Sequence, residues 1–191
     1  MRRLKDFLFR KDGAIAVEFA FVAPVMIGLF FGLSELALAL GAKGDVTNLA
    51  SVGADLIAQE SAATTSDMTN VFSALSAMLY PYATSNAQIT ISSVIDNSSG
   101  GATGNANPTG KVAWSCTQGG TARSANSTYS FPAAAQGVIT SGSGGSVIMA
   151  EVTYNYSSPT TVSLNTPIAM TNTFYSKPRR VAQIPLPNGC S

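Results

Sequence analysis

In the stretch RKDGAIAVEFAFVAP, from Arg10 to Pro24, a charged segment stops at Gly13, an apolar run begins at Ala14, and a carboxylate, Glu18, follows five residues after the glycine. The spacing suits proteolysis at a membrane face. A peptidase working there needs a flexible, accessible bond at the head of the membrane helix, and glycine supplies backbone freedom that a strong helix former lacks. Cleavage between Gly13 and Ala14 would remove a basic leader and create a new α-amino group on Ala14. Glu18 would then lie about 6 Å along the helix from Ala14, at a rise of 1.5 Å per residue. A carboxylate at that depth is costly if it faces lipid unpaired, so it needs a partner. Its own Ala14 amine, one helical turn back, or the lipid headgroups could each provide one.

Little other chemistry is open to the chain. It has no histidine and only two cysteines, Cys116 and Cys190. Ser-His-Asp triads, Cys-His pairs and histidine-containing zinc sites are therefore excluded within one chain. Neither Ser-x-x-Lys nor Gly-x-Ser-x-Gly occurs, so no nucleophile is positioned for hydrolysis. The glycine clusters Gly100–Gly104 and Gly142–Gly145 lack the Lys-Ser/Thr ending of a phosphate loop. We expect no catalytic residue, metal, cofactor or small-molecule substrate.

The charge pattern supplies an orientation. Residues before Gly13 carry Arg2, Arg3, Lys5, Arg10 and Lys11 against Asp6 and Asp12, a net +3, and the rest of the chain sums to −2. Lys and Arg resist translocation, so a basic segment beside an apolar one marks the cytoplasmic side of a span. Nothing basic follows to make a nucleic-acid surface. Both cysteines fall in the exported part, where an oxidising compartment favours a Cys116–Cys190 disulfide.

These residues must be carried by a membrane helix. Ala14–Ala42 is apolar except for Glu18, Ser34 and Glu35, and exceeds the roughly 20 residues needed to cross a bilayer. A cleaved signal peptide, with Ala37-Leu38-Ala39 as its site, competes poorly: the apolar run is too long and holds two glutamates. Pro24 removes a helical donor and predicts a kink, Gly28 and Gly32 have the spacing of close helix packing, and Glu35, about 32 Å beyond Ala14, is expected as a solvated boundary residue.

Beyond the span, Val46, Leu49, Val52 or Gly53, Leu56 and Ile57 recur at helical spacing, giving an amphipathic stalk over 43–63. Ser66 can cap a second amphipathic helix with the stripe Met68, Val71, Phe72, Leu75 and Leu79, ended by Pro81. Gln88–Ile95, Lys111–Cys116, Ser146–Tyr156 and Ile168–Tyr175 alternate as four strands. Asn97–Gly110 and Gln118–Gly145 read as Gly/Ser-rich loops, interrupted at Val112–Cys116 and Tyr129–Phe131. The expected fold is α+β: a basic leader (1–13), a transmembrane helix (14–42), the stalk (43–63), and a head (64–191) with a small antiparallel sheet.

The N-terminal motif resembles the prepilins and pseudopilins of the Tad, or Flp-type, tight-adherence pilus, and most closely the TadE-like minor pseudopilins. The resemblance rests on Gly13 before the scissile bond, on Glu18 and Phe19 at the fifth and sixth mature positions, and on Pro24 and Glu35, and it covers about 30 residues. It implies a pilin-like fold and a structural role in pilus assembly. The implied partners are a prepilin peptidase, other pilin or pseudopilin subunits, the assembly platform and membrane lipid. It also implies that Glu18 meets the free amine of a neighbouring subunit and sets its axial register. The implied location is the bacterial inner membrane, single-pass, with the N-terminus cytoplasmic and the head periplasmic, or the cell surface within a pilus. Phe19 stands where major Flp pilins have tyrosine, which favours a minor subunit. The alternative is an uncleaved single-pass protein whose extracytoplasmic head binds a ligand or partner.

Overall fold

The computed structural model describes residues 11–96, 109–132, 138, 144–158, 166–186 and 190. The basic leader up to residue 10 and most of the two glycine-rich loops lie outside the described residues. The described chain forms two units, one holding the first helix as far as Leu40 and the other holding Gly41–Ser157 and the chain from Thr166 onward.

Helix α1 spans Lys11–Ala58 and includes Pro24. Its first unit is apolar on every side, and the side chains from Ile15 to Leu40 are exposed with few exceptions: Ile15 is 68% exposed, Phe21 76% and Leu33 65%. A helix that is apolar all round is stable only where its surroundings are apolar too. It is long and apolar enough to cross a membrane, with a mean hydropathy of 2.1 over its best 18 residues.

From Gly41 on, the helix has one buried face, made by Ala42, Val46, Leu49, Ala50, Gly53, Ala54, Ile57 and Ala58. The choice between Val52 and Gly53 is settled for Gly53, and Leu56 is not part of this face, being 38% exposed. The reason is close approach: a Cβ on Gly53 would lie 3.0 Å from Leu75 Cδ1 and within 4 Å of Ile91 and Ala150, so helix and sheet meet where there is no side chain.

Helix α2, Thr65–Met78, is capped by Thr64 rather than Ser66. Thr64 Oγ1 accepts from the Asp67 N–H at 3.2 Å, and Asp67 Oδ2 accepts from the Thr64 N–H at 2.9 Å. This reciprocal pair satisfies two otherwise orphan donors. Met68, Phe72, Leu75 and Leu79 are buried, with Val71 at the margin of that stripe.

The head sheet has five antiparallel strands: β1 (Ala87–Asp96), β2 (Thr109–Gln118), β3 (Thr128–Ser130), β4 (Ser146–Tyr156) and β5 (Ile168–Ser176). Their order is β3-β2-β1-β4-β5. The four expected strands are present. The fifth, β3, is only three residues long and pairs with the start of β2, which is why alternation alone did not mark it. A register shift between Ser93 and Val94 sets Val94 opposite Val112. Val94, Val112, Phe131, Val147 and Met149 then form a cluster on one face. The opposite face carries Ile91 and Ala150, which lie against α1 at Gly53. The fold is therefore α+β: a long N-terminal helix, a second amphipathic helix and an antiparallel sheet.

Candidate functional site

The candidate site is the first unit of α1, where the sequence places the residues able to do chemistry. Gly13 is partly exposed, and Glu18 and Phe19 are exposed, Phe19 at 70%. The Glu18 carboxylate makes no hydrogen bond or ion pair within the described residues, so its partner would have to come from outside them. Residues 14 and 18 are separated by four positions of helix, about 6 Å along the axis.

Further along, a Cβ on Gly28 or Gly32 would meet nothing within 4 Å, so this stripe is open to another helix. Phe30 and Phe31 pack edge to face at 5.7 Å between centroids, and the Ser34 hydroxyl donates to the Phe30 carbonyl at 2.8 Å. The serine thus meets its own hydrogen-bonding need inside the helix, as an apolar environment requires.

Glu35 departs from expectation. It is 4% exposed, and neither carboxylate oxygen has a hydrogen-bond partner. A solvated boundary position is therefore excluded in this structure, and an unpaired buried carboxylate is a costly feature to keep. Sequence hydropathy could place Glu35 along the helix but could not reveal its covering.

In the head, Cys116 and Cys190 are joined by a disulfide across 74 positions, with Cα atoms 5.0 Å apart. The tail leading to Cys190 is fastened at several earlier points. The Arg179 N–H donates to the Ala58 carbonyl at 2.9 Å, closing the C-terminus of α1, and the Arg179 guanidinium pairs with Asp55. The Ala63 N–H donates to the Pro185 carbonyl and the Ser146 N–H to the Ala182 carbonyl, each at 3.0 Å. The disulfide was expected from the two cysteines, whereas the hydrogen bonds and the ion pair that fasten the tail were not visible as a motif.

The other polar cluster of the head joins Arg123, Glu151, Tyr129 and Tyr175. Arg123 pairs with Glu151 at 2.6 Å and lies 5.1 Å from the centroid of the Tyr129 ring. Its bond to Glu151 raises the already high guanidinium pKa. Burial, followed by the 2.6 Å contact with the Tyr129 hydroxyl, pushes the Tyr175 phenol well above its ordinary range. This cluster has no free nucleophile, and among the described residues no group of three or more potential metal ligands occurs.

An exposed apolar helix leading into a disulfide-closed α+β head is the form of a membrane-anchored protein. Residues 13–55 match the family model described as TadE-like protein, a segment that holds Gly13, Glu18 and Glu35 and runs on along α1 past Gly53. Over that segment the chain carries the TadE-like signature, in agreement with the resemblance drawn from Gly13, Glu18, Phe19, Pro24 and Glu35. No curated protein and no solved structure gives a significant match.

Proposed function

We propose that this protein is a minor pseudopilin that takes part in assembly of a Tad/Flp-type pilus, and so in adhesion and surface attachment. A Tad pilus-associated, structural role is what the TadE-like match indicates. The observation that carries the finer reading is the placement of Glu18 on an exposed apolar helix, five residues after Gly13, within the family-matched segment.

In this reading the leader, residues 1–13, stays on the cytoplasmic face until a prepilin peptidase cuts after Gly13. The helix over 14–42 sits in the inner membrane, the stalk over 43–63 leads out of it, and the head is periplasmic. The new Ala14 amine of one subunit then meets Glu18 of another, because a charged amine and a carboxylate satisfy each other in a low-dielectric bilayer. The open stripe at Gly28 and Gly32 packs against a neighbouring helix, with Pro24 shaping its path. Other pilus subunits, the assembly platform and lipid are the partners, and the protein is not an enzyme.

The test is the mature N-terminus of the protein from its native membrane, read by intact mass. A chain beginning at Ala14 supports the proposal, with bulky replacement of Gly13 blocking its appearance. A chain that retains residues 1–13 overturns it in favour of an uncleaved membrane protein with a binding head.

A further inference from the structure

Gly41 ends the apolar run of α1 and begins the unit that holds the head. α1 rises about 40 Å between Ala14 and Gly41, the thickness of a bilayer with its headgroup layers, about 40–45 Å. The part of the head that surrounds Gly41 therefore stands at the level of the lipid headgroups. Contacts within the head unit show which part that is. A Cβ on Gly41 would lie 3.0 Å from the Tyr82 hydroxyl, so the turn after α2 abuts the helix there. The Tyr82 ring packs edge to face on Tyr154 and Tyr156, at 6.2 and 6.3 Å between centroids, at the end of β4. Tyr156 pairs with Ile168, the first residue of β5, and Tyr154 with Ala87, the first of β1. Near the end of α2 the Ser76 hydroxyl donates to Gln118, the last residue of β2, at 3.1 Å. Lys43, Val46 and Thr47 line a groove of about 270 Å³ with residues 168–172. One end of the head is thus gathered around the start of the stalk.

That end has an unusual surface. Residues 78–88, 117–120, 154–157 and 166–170 contain no charged side chain. Tyr80 is 86% exposed, Met78 42% and Ile168 40%. At the far end of α1, by contrast, Asp55 pairs with Arg179, and Glu60 and Arg180 follow close by in sequence. A surface that meets only water ordinarily carries charge, whereas an uncharged one with exposed apolar and aromatic side chains marks a contact. The chain leading into this end is apolar on every side. Tyrosine, with an apolar ring and a polar hydroxyl, is enriched where hydrocarbon gives way to water.

We propose that this uncharged end of the head is a lipid-contact surface, resting on the headgroup layer of the leaflet from which α1 emerges, with Tyr80 as its anchor and Met78 and Ile168 in contact with lipid. The contact holds the head against the bilayer at points away from α1, so that the stalk does not carry it alone. The proposal rests on the reading of residues 14–42 as a membrane helix. It does not depend on leader cleavage or on Glu18.

Fluorescent labelling of single cysteines in the full chain tests this, because Cys116 and Cys190 already occupy each other and an introduced cysteine is the sole free thiol. The chain is reconstituted in phosphatidylethanolamine–phosphatidylglycerol vesicles whose lipid carries a quenching spin label either on the headgroup or at mid-chain. A fluorophore at Ile27→Cys, near the middle of the apolar run, reports on α1 itself and should be quenched from mid-chain. Fluorophores at Met78→Cys and Ile168→Cys should be quenched from the headgroup at least about threefold more strongly than one at Glu60→Cys, past the far end of α1. Tyr80→Asp should at least about halve the headgroup quenching at Ile168→Cys, because a charge replaces the interfacial anchor. Alkylation resistance of Cys116 and Cys190 reports that the head is folded in each variant. Quenching at Ile27→Cys, with positions 78 and 168 quenched no more than position 60, would overturn the proposal and leave the membrane helix standing. Loss of quenching at Ile27→Cys as well would overturn both. Fluorophores at 78 and 168 that are shielded from aqueous iodide yet not quenched by lipid would assign this end to a protein contact, which also overturns the proposal.

Discussion

The Trp114 indole N–H donates to the Ile184 carbonyl at 2.8 Å in a buried position, across 70 residues of sequence. Two residues along β2 from this bond, Cys116 holds Cys190. One strand therefore grips the C-terminal tail at two points, by a hydrogen bond at Ile184 in its proline-rich part and by a covalent bond at Cys190 beyond it. Trp114→Phe keeps the ring but strands the Ile184 carbonyl, and should cost about 1–3 kcal/mol. Cys116→Ser with Cys190→Ser reopens a long loop and should cost about 4 kcal/mol by chain entropy. Because both changes free the same tail, their sum should exceed the effect of the triple variant. Denaturant unfolding in detergent gives all three values. Two freely alkylatable thiols in protein purified without reductant would contradict the disulfide itself.

Gly53 is the place where α1 and the sheet come closest. Gly53→Leu should destabilise the head by about 1–3 kcal/mol through overpacking. Gly53→Ala should be near neutral. Its Cβ would come 3.0 Å from Leu75 Cδ1, the movable end of a side chain, while alanine gains roughly 1 kcal/mol of helix propensity. Melting temperatures of the two variants provide the comparison, and equal losses would show that the glycine is not a contact point.

The Thr64–Asp67 cap should make the start of α2 sensitive to acid. Hydrogen bonds from the Thr64 side chain, then its backbone N–H, hold the Asp67 carboxyl below its ordinary pKa. A group depressed in the folded state contributes stability that is full above its unfolded pKa, about 3.9, and lost as pH falls through the lower folded value. Amide exchange at residues 65–68 should therefore accelerate as pH drops below about 4, after correction for intrinsic rates. Asp67→Asn should remove that pH dependence, and an unchanged profile in Asp67→Asn would refute the role of this carboxylate.

Glu18 should separate processing from assembly. Glu18→Ala is expected to insert and to be cut after Gly13, yet to lose crosslinks to its pilus partners, because the partner's amine is left without a counter-charge. Glu18→Asp should fall between alanine and wild type, keeping the charge with a shorter reach. Undiminished crosslinking of processed Glu18→Ala would mean that the carboxylate serves only the headgroup region.

Much of this arrangement was legible along the chain because it depends on neighbours in sequence. The apolar run from Ala14 marked the helix that is long and apolar enough to cross a membrane, and the motif around Gly13 and Glu18 falls inside the family-matched segment. Alternation marked four strands, since a half-buried strand exposes every second side chain wherever it lies in a sheet. The cap of α2 was also a local signal: Thr64-x-x-Asp67 has the reciprocal donors and acceptors of a capping box, whereas Ser66 has no acidic residue three positions on.

Tertiary structure decided what depends on partners distant in sequence. Periodicity could not choose Gly53 over Val52, because the choice rests on how near Leu75, Ile91 and Ala150 approach. Nor could it show that Glu35 is covered, that Trp114 holds Ile184, or that β5 ends the sheet. Hydropathy reports the preference of a side chain for water, and strand alternation reports which side chains share a face. Burial, strand order and edge position are set by which surfaces meet, and only packing of the whole chain fixes that.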